Sequence, residues 1–304
     1  MADRLSATLQ IAKRLCTLAQ EQNDISLFMG AYGALACTFY CLGEIETCGQ
    51  YVMLGLELWR SLGGQSSVVD LDAGAVSLLC YEAQFEMQIG EIATSHATMA
   101  EAISLAKKLN DMHGLASALG CAAHLCNMER NLAQVERFSS DLIELSTRHH
   151  FAQWMAIGAI YRGWVCCASG ASAEGIPGIE RGIRDLRATS TVLGLPYYLA
   201  LKAEAFYLVD RTSEALETIN EAEALAARFE QRLVSSRLHR NRGVFLAALG
   251  AEETQIEASF CEAIRIAREQ KLVFLEKCAK ETYAEYRRQK ASGSGGRKMR
   301  LPLW

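Results

Sequence analysis

Small residues recur along this chain at a fixed beat. Ala36, Ala83, Ala123, Gly163, Ala203 and Gly243 follow one another at steps of 47, 40, 40, 40 and 40 residues. Seven residues after each stands Gly43, Gly90, Arg130, Gly170, Asp210 or Gly250. A small side chain in mid-helix lets a second helix approach closely. Seven residues on, the helix ends, and glycine best tolerates the left-handed backbone of a C-terminal cap. A second series runs in phase: Gly55, Ala102, Leu142, Gly182, Ala222 and Ala263, with Leu142 as the one large member. The unit is therefore a helix, a tight turn and an antiparallel helix. One unit cannot bury its apolar face alone, but stacked neighbours can, so the core grows along the stack.

Apolar spacing supports helices over strands. In 213–230 the residues Ala215, Leu216, Ile219, Ala222 and Ala226 form one stripe at steps of three and four. Thr212 or Ser213 is expected to cap this helix, and Asp70 or Asp72 the helix running to Gln88. The 47-residue step places seven extra residues in the polar run 63–70. With only 3 prolines to break them, these helices predict an all-α superhelix of about seven antiparallel pairs on a 40-residue repeat. Residues 1–290 read as one continuous repeat domain. Residues 291–304 open on a Gly/Ser-rich tether and end Arg300-Leu-Pro-Leu-Trp304.

Composition narrows the partners. Half the residues are apolar and the formal net charge is -4, so no basic excess exists to neutralise nucleic-acid phosphates. The 11 cysteines are odd in number, with no C-x-x-C pair, and the N-terminus lacks the apolar run of a secretory signal. A reduced, cytoplasmic setting is expected. Cys121, His124 and Cys126 suggest a metal at first sight, but they lie within two turns of one helix with no fourth ligand, so they read as buried groups. Residues 25–43 carry no charge over 19 positions, near the length of a bilayer span. Three glycines and acidic flanks without a Lys or Arg anchor favour a buried helix instead.

The paired helices with small crossing residues resemble tetratricopeptide repeats lengthened to 40 residues. More specifically, residues 44–304 look like the C-terminal helical region of a bacterial signalling family. Its members join a class III adenylate/guanylate cyclase or other output domain to a STAND-type predicted ATPase and then to such an array. The resemblance is carried by ATMAEAISLAKKLND (97–111), SDLIELSTR (140–148), LGLPYYLALKAEA (193–205), RLHRNRGVFLAALG (237–250), EASFCEAIRIAREQ (257–270), TYAEYRRQK (282–290) and the RLPLW ending. It implies a repeat module that contacts ATPase or cyclase domains of its own or a companion chain. The family's catalytic residues match no position here, and the phosphate loop G-x-x-x-x-G-K-[ST] is absent. The first helix aligns with the second type, so an apolar face is expected at the N-terminus, as in a fragment, a short reading frame or a truncated relative of the larger protein.

Other motifs have structural readings. Ser104 and Lys107 match S-x-x-K within a repeat helix, Asp70 and Asp72 lack the other ligands of a calcium loop, and His149 and His150 suit a helix C-terminus. No catalytic residue, metal or cofactor is expected. In tetratricopeptide-like arrays the first helices line the concave face. Their register selects Gln84, His124, Asn127, Trp164, Tyr197, Glu204, Tyr207, Arg237 and Arg240 as a partner-binding groove, aromatic and arginine anchors being the usual hot spots. The competing reading is that Trp164 and Tyr207 only fill the interior. On the groove reading, Trp164→Ala with Arg240→Ala is expected to weaken capture and leave stability nearly unchanged. Two functions fit: a non-catalytic scaffold for a protein or peptide, and a small-molecule sensor gating an attached domain. A long open face favours the first; a closed face with convergent polar groups favours the second.

Overall fold

A left-handed residue closes nearly every helix, and these residues mark time along the chain. Gly43, Gly90, Arg130, Gly170, Asp210 and Gly250 have φ of 77, 94, 60, 88, 62 and 70°. Asn23, Asn110, His150, Ser190, Glu230 and Lys271 end the alternate helices with φ between 50 and 59°. At every one of these ends except Ser190 the next amide reaches five residues back, as Glu44 N–H does to Phe39 O (2.9 Å) and Asn131 N–H to Cys126 O (2.9 Å). That bond satisfies a carbonyl the helix would otherwise orphan.

The computed structural model describes residues 5–62 and 69–292. Among them lie fourteen α-helices: α1 (Leu5–Gln22), α2 (Ile25–Leu42), α3 (Ile45–Ser61), α4 (Val69–Ile89), α5 (Ile92–Lys108), α6 (Met112–Met128), α7 (Leu132–His149), α8 (Ala152–Ala168), α9 (Ser172–Ala188), α10 (Leu195–Leu208), α11 (Thr212–Arg228), α12 (Ser235–Leu249), α13 (Glu253–Glu269) and α14 (Val273–Ala291). A 3-10 turn, Arg232–Val234, precedes α12. The fold is all-α, a tetratricopeptide-like superhelix of sequential antiparallel pairs. Most of the 63–70 run and residues 293–304 of the proposed tail (291–304) lie outside the described residues; Ala291 still belongs to α14.

The small residues stand where helices cross. Ala36, Ala83, Ala123 and Ala203 are fully buried. At Gly163 the contact is backbone to backbone: a Cβ there would lie 2.7 Å from the carbonyl oxygen of Gly175 in α9. Gly163→Val is therefore expected to force α8 and α9 apart and cost about 3 kcal/mol, as overpacking does. A urea titration checks it; a midpoint equal to that of the parent chain would refute the close-approach argument.

Two sequence expectations about helix starts, each offering two residues, are corrected. α11 begins at Thr212, and neither Thr212 nor Ser213 caps it; the cap position is Arg211, which instead pairs with Glu214. α4 runs from Val69, so Asp70 and Asp72 lie inside it. Asp72 is buried and accepts the indole N–H of Trp59 at 2.8 Å. The side-chain caps are Asp24, Asp111 and Asn131, each accepting an amide three residues on.

Successive first-type helices touch along the inside: α2 on α4, α4 on α6, and onward through α8, α10 and α12 to α14. The stack then closes on itself. α14 packs against α4, and the 3-10 turn against α2. At this seam Leu272 is fully buried in the same apolar cluster as Leu35 and Met87, with Leu275 and Leu233 packed against it. Lys271 Nζ meets Glu46 Oε1 at 2.6 Å, and Glu230 Oε2 accepts the Ser6 amide at 3.0 Å. Both partners of the Lys271–Glu46 pair are 61% exposed, so the apolar contact holds the seam and the ion pair adds little.

α2 is long and apolar enough by length and composition to cross a membrane. Here it packs against α1, α3 and α4, burying Met29, Leu35 and Ala36. On α1, Ile11 is exposed and Leu15 and Leu18 are half-buried, which is the apolar N-terminal face expected from the register.

Candidate functional site

Inside the ring lies a buried charged network; of its charged groups Arg130 alone reaches partly to the surface. Glu204 on α10 is fully buried, and both its oxygens are saturated. Oε2 accepts from Arg130 Nη1 (2.7 Å) and Trp164 Nε1 (3.2 Å). Oε1 accepts from Arg237 Nε (3.0 Å) and Nη2 (2.8 Å) and from Asn241 Nδ2 (3.0 Å). The repeat builds this contact. Trp164 and Glu204 occupy the same register on neighbouring inner helices, 40 residues apart. Asn127 Oδ1 accepts from Tyr197 Oη (2.8 Å) and from Arg237 Nη2 (3.1 Å). The Arg237 guanidinium also lies 5.0 Å from the Tyr197 ring centre, and Arg130 5.2 Å from that of Trp164.

Burial alone would raise the Glu204 pKa, but Arg130 and Arg237 outweigh it and hold the carboxyl well below its usual range. Burial would lower Arg237, and Glu204 reverses that. Arg240 has less help: burial pulls it down to about 10, still charged at neutral pH. Its Nη2 donates to Asn241 Oδ1 at 3.3 Å, and its buried Nε has no partner.

Beside the network lies a cavity of ≈ 240 Å³. Its aromatic wall is Tyr40, Tyr81, Trp154, Tyr161, Tyr197 and Tyr198. Leu193, Leu233 and Leu275 supply aliphatic surface, and Gln84, His124, Gln231 and Arg237 supply polar groups. Leu233 and Leu275 come from the seam, so closing the ring completes the cavity. His124 sits edge-on to Tyr197, ring centres 4.6 Å apart. Burial, with Arg237 close by, pushes its pKa down to about 3 and keeps the imidazole neutral. Gln231 holds the approach to α10: its Oε1 accepts the Gly194 amide (2.8 Å) and its Nε2 donates to Val192 O (2.9 Å).

The nine residues selected from the sequence divide. Gln84, His124, Tyr197 and Arg237 line the cavity. Asn127, Trp164, Glu204 and Arg240 belong to the buried network. Tyr207 is buried against Phe245, ring centres 5.3 Å apart. The expectation that Trp164→Ala with Arg240→Ala leaves stability nearly unchanged is corrected: Trp164 is 1% and Arg240 5% exposed, so both are core truncations. Cys121 and His124 face the cavity, whereas Cys126 lines a separate cleft with Asn131 and Phe138. Among the described residues no group of three or more His, Cys, Asp or Glu is disposed to hold a metal, and all eleven cysteines are free. Sequence reasoning missed Arg130 as a charge partner, Asn241, and the tyrosines 161 and 198. Asn241, between two arginines of the singled-out RLHRNR segment, and Tyr198, in the singled-out 193–205 segment, were the ones with a signal.

No protein-family model matches the chain. A curated relative, the uncharacterized protein R02095 of Rhizobium meliloti (strain 1021), is 22% identical over 247 residues. The match covers 80% of this chain but 24% of that protein, so the chain spans about a quarter of its relative's length. Among solved structures, BtubC (BKLC) from P. vanneervenii superposes with a TM-score of 0.50 at 14% identity, covering 74% of this chain and 91% of that one. PlcR of Bacillus thuringiensis, solved with the peptide PapR7 and DNA, gives a TM-score of 0.45 at 14% identity, covering 77% and 86%. The likeness to BtubC shows the fold alone, a tetratricopeptide-like helical repeat.

Proposed function

We propose that this chain is a non-catalytic regulatory repeat module whose concave face receives a small ligand in a half-open cavity. The observation that carries the reading is the seam. With α14 against α4 and the 3-10 turn against α2, the inner face forms a cavity of ≈ 240 Å³ in place of a long channel. That volume lies just under the usual range for small-molecule pockets, ~300–1,000 Å³, and the mix of aromatic lining with a few polar groups is typical of them. Because Leu233 and Leu275 belong to both seam and lining, a ligand that prefers the closed ring stabilises the seam. Such coupling suits gating of an attached domain, an ATPase or cyclase in the family that the sequence resembles. The free thiols fit a cytoplasmic setting.

A second reading, protein contact through the outer surface, draws on the exposed apolar side chains Ile11, Met53 and Leu54 on α1 and α3. A thermal-shift screen with a library of small organic molecules, followed by amide hydrogen exchange, separates the two. Hits that slow exchange at Leu272–Leu275 support the interior site. Binding by peptides alone, with no protection at the seam, refutes it.

A further inference from the structure

We propose that the cavity selects a small aromatic acid, its carboxylate held by Arg237 and its ring laid among the tyrosines. This rests on the interior-ligand reading above and names the ligand class. Charge makes the first argument. Among the described residues lining the cavity, Arg237 is the only one with a formal charge at neutral pH; no Asp, Glu or Lys is present. Its Nε and Nη2 are committed to Glu204 and Asn127, and Nη1 makes no hydrogen bond. A guanidinium edge left over in a low-dielectric cavity favours an anion, since charge-assisted hydrogen bonds are the strong ones there. Glu204 supplies a single negative charge to two buried guanidiniums, Arg237 and Arg240, so the interior carries positive charge for an incoming acid to offset.

Shape makes the second argument. The rings of Tyr161, Tyr197 and Tyr198 already meet at tilted or edge-on angles, with centres 5.6 to 6.4 Å apart, and Trp154 joins the same lining. Aromatic pairs prefer those offset and edge-on contacts, so a flat ring adds to the set without disturbing it. A third observation concerns the body of the ligand. Gln84, Gln88, Gln153 and Gln231 place amides in the lining beside the tyrosines. An amide both donates and accepts, so a hydroxyl on the ring can exchange a hydrogen bond with one of them.

The probes are phenylacetate and 4-hydroxyphenylacetate, with phenylacetamide and phenethylamine as the neutral and cationic counterparts. Calorimetric titration of the full chain is expected to rank 4-hydroxyphenylacetate first, then phenylacetate. The amide is expected to bind at least tenfold more weakly than its acid and the amine not at all. Leu193→Trp, on the partly exposed rim, is expected to abolish acid binding with the melting temperature kept within a few degrees. Arg237→Lys is expected to weaken the acids at least tenfold while leaving the weaker amide unchanged. Equal affinity for phenylacetate and phenylacetamide, both blocked by Leu193→Trp, would overturn the acid preference and leave the interior site standing. Acid binding that survives Leu193→Trp would place the site elsewhere and overturn the inference. If no acid probe binds, the inference falls, while the library screen still judges the interior site.

Discussion

Glu204→Ala is expected to destabilise the fold by about 3–5 kcal/mol, the cost of leaving one side of a buried ion pair uncompensated. The variant strips the partner from Arg237 Nε and two bonds from Oε2, and it leaves the Asn241 amide and the Trp164 indole without acceptors. Glu204→Gln keeps the shape but loses the charge, and should recover only part of the loss. The same residue governs acid sensitivity. Its folded pKa lies below its unfolded value, so its contribution is complete above the usual carboxylate range and is lost as pH falls through and below that range. His124 works in the same direction at higher pH. Its folded value of about 3 lies below the ~6.5 of a free imidazole, so the unfolded chain takes up the proton first and stability drops as pH falls between those values. Urea titrations from pH 7 to pH 3 check both. His124→Gln should flatten the upper part of the curve and Glu204→Ala the lower part. Parallel curves for parent and variants would show that neither group is linked to folding.

The second large effect is expected at the seam. Leu272→Ala removes a fully buried side chain that joins the two ends of the stack, at a cost of about 2–5 kcal/mol. Its particular signature is geometric: the helices persist, the ring opens, and the radius of gyration from solution scattering rises. Amides of the 3-10 turn and the first turn of α14 should lose exchange protection before those of α8 and α9. A fall in melting temperature with the radius unchanged would mean that the ring holds without Leu272.

Much of this architecture is written locally. The 40-residue beat in Ala83, Ala123, Gly163, Ala203 and Gly243 fixes where helices cross, because only a small side chain permits that approach. Seven residues on, even Arg130 and Asp210 adopt the left-handed backbone that the neighbouring glycines take. The position therefore dictates the turn, and glycine only eases it. The rest depends on distance. Glu204 meets Arg130 across 74 residues, and no spacing rule on one helix foretells that contact. The interior position of Trp164 was one of two readings open to the sequence; its burial follows from packing between neighbouring inner helices, where it meets Glu204 and Arg130, whereas the closing of the ring is the sum of many small rotations between units. No single residue encodes that sum. Helix starts failed for a simpler reason: the left-handed residue sets the entry to the next helix, so Asp24, Asp111 and Asn131 cap directly after it and a Ser or Thr further on has no orphan amide to serve.

An open stack can be edited one unit at a time, since each unit answers only to its neighbours. This one has given up that freedom. Lys271 touches Glu46, and Glu230 touches Ser6, across more than two hundred residues of chain. Inserting or deleting a single unit would carry α14 past its berth on α4, however well the new unit folded. The count of units and the pitch between them are thus locked together, and the contacts that lock them span the longest loop the chain has to close.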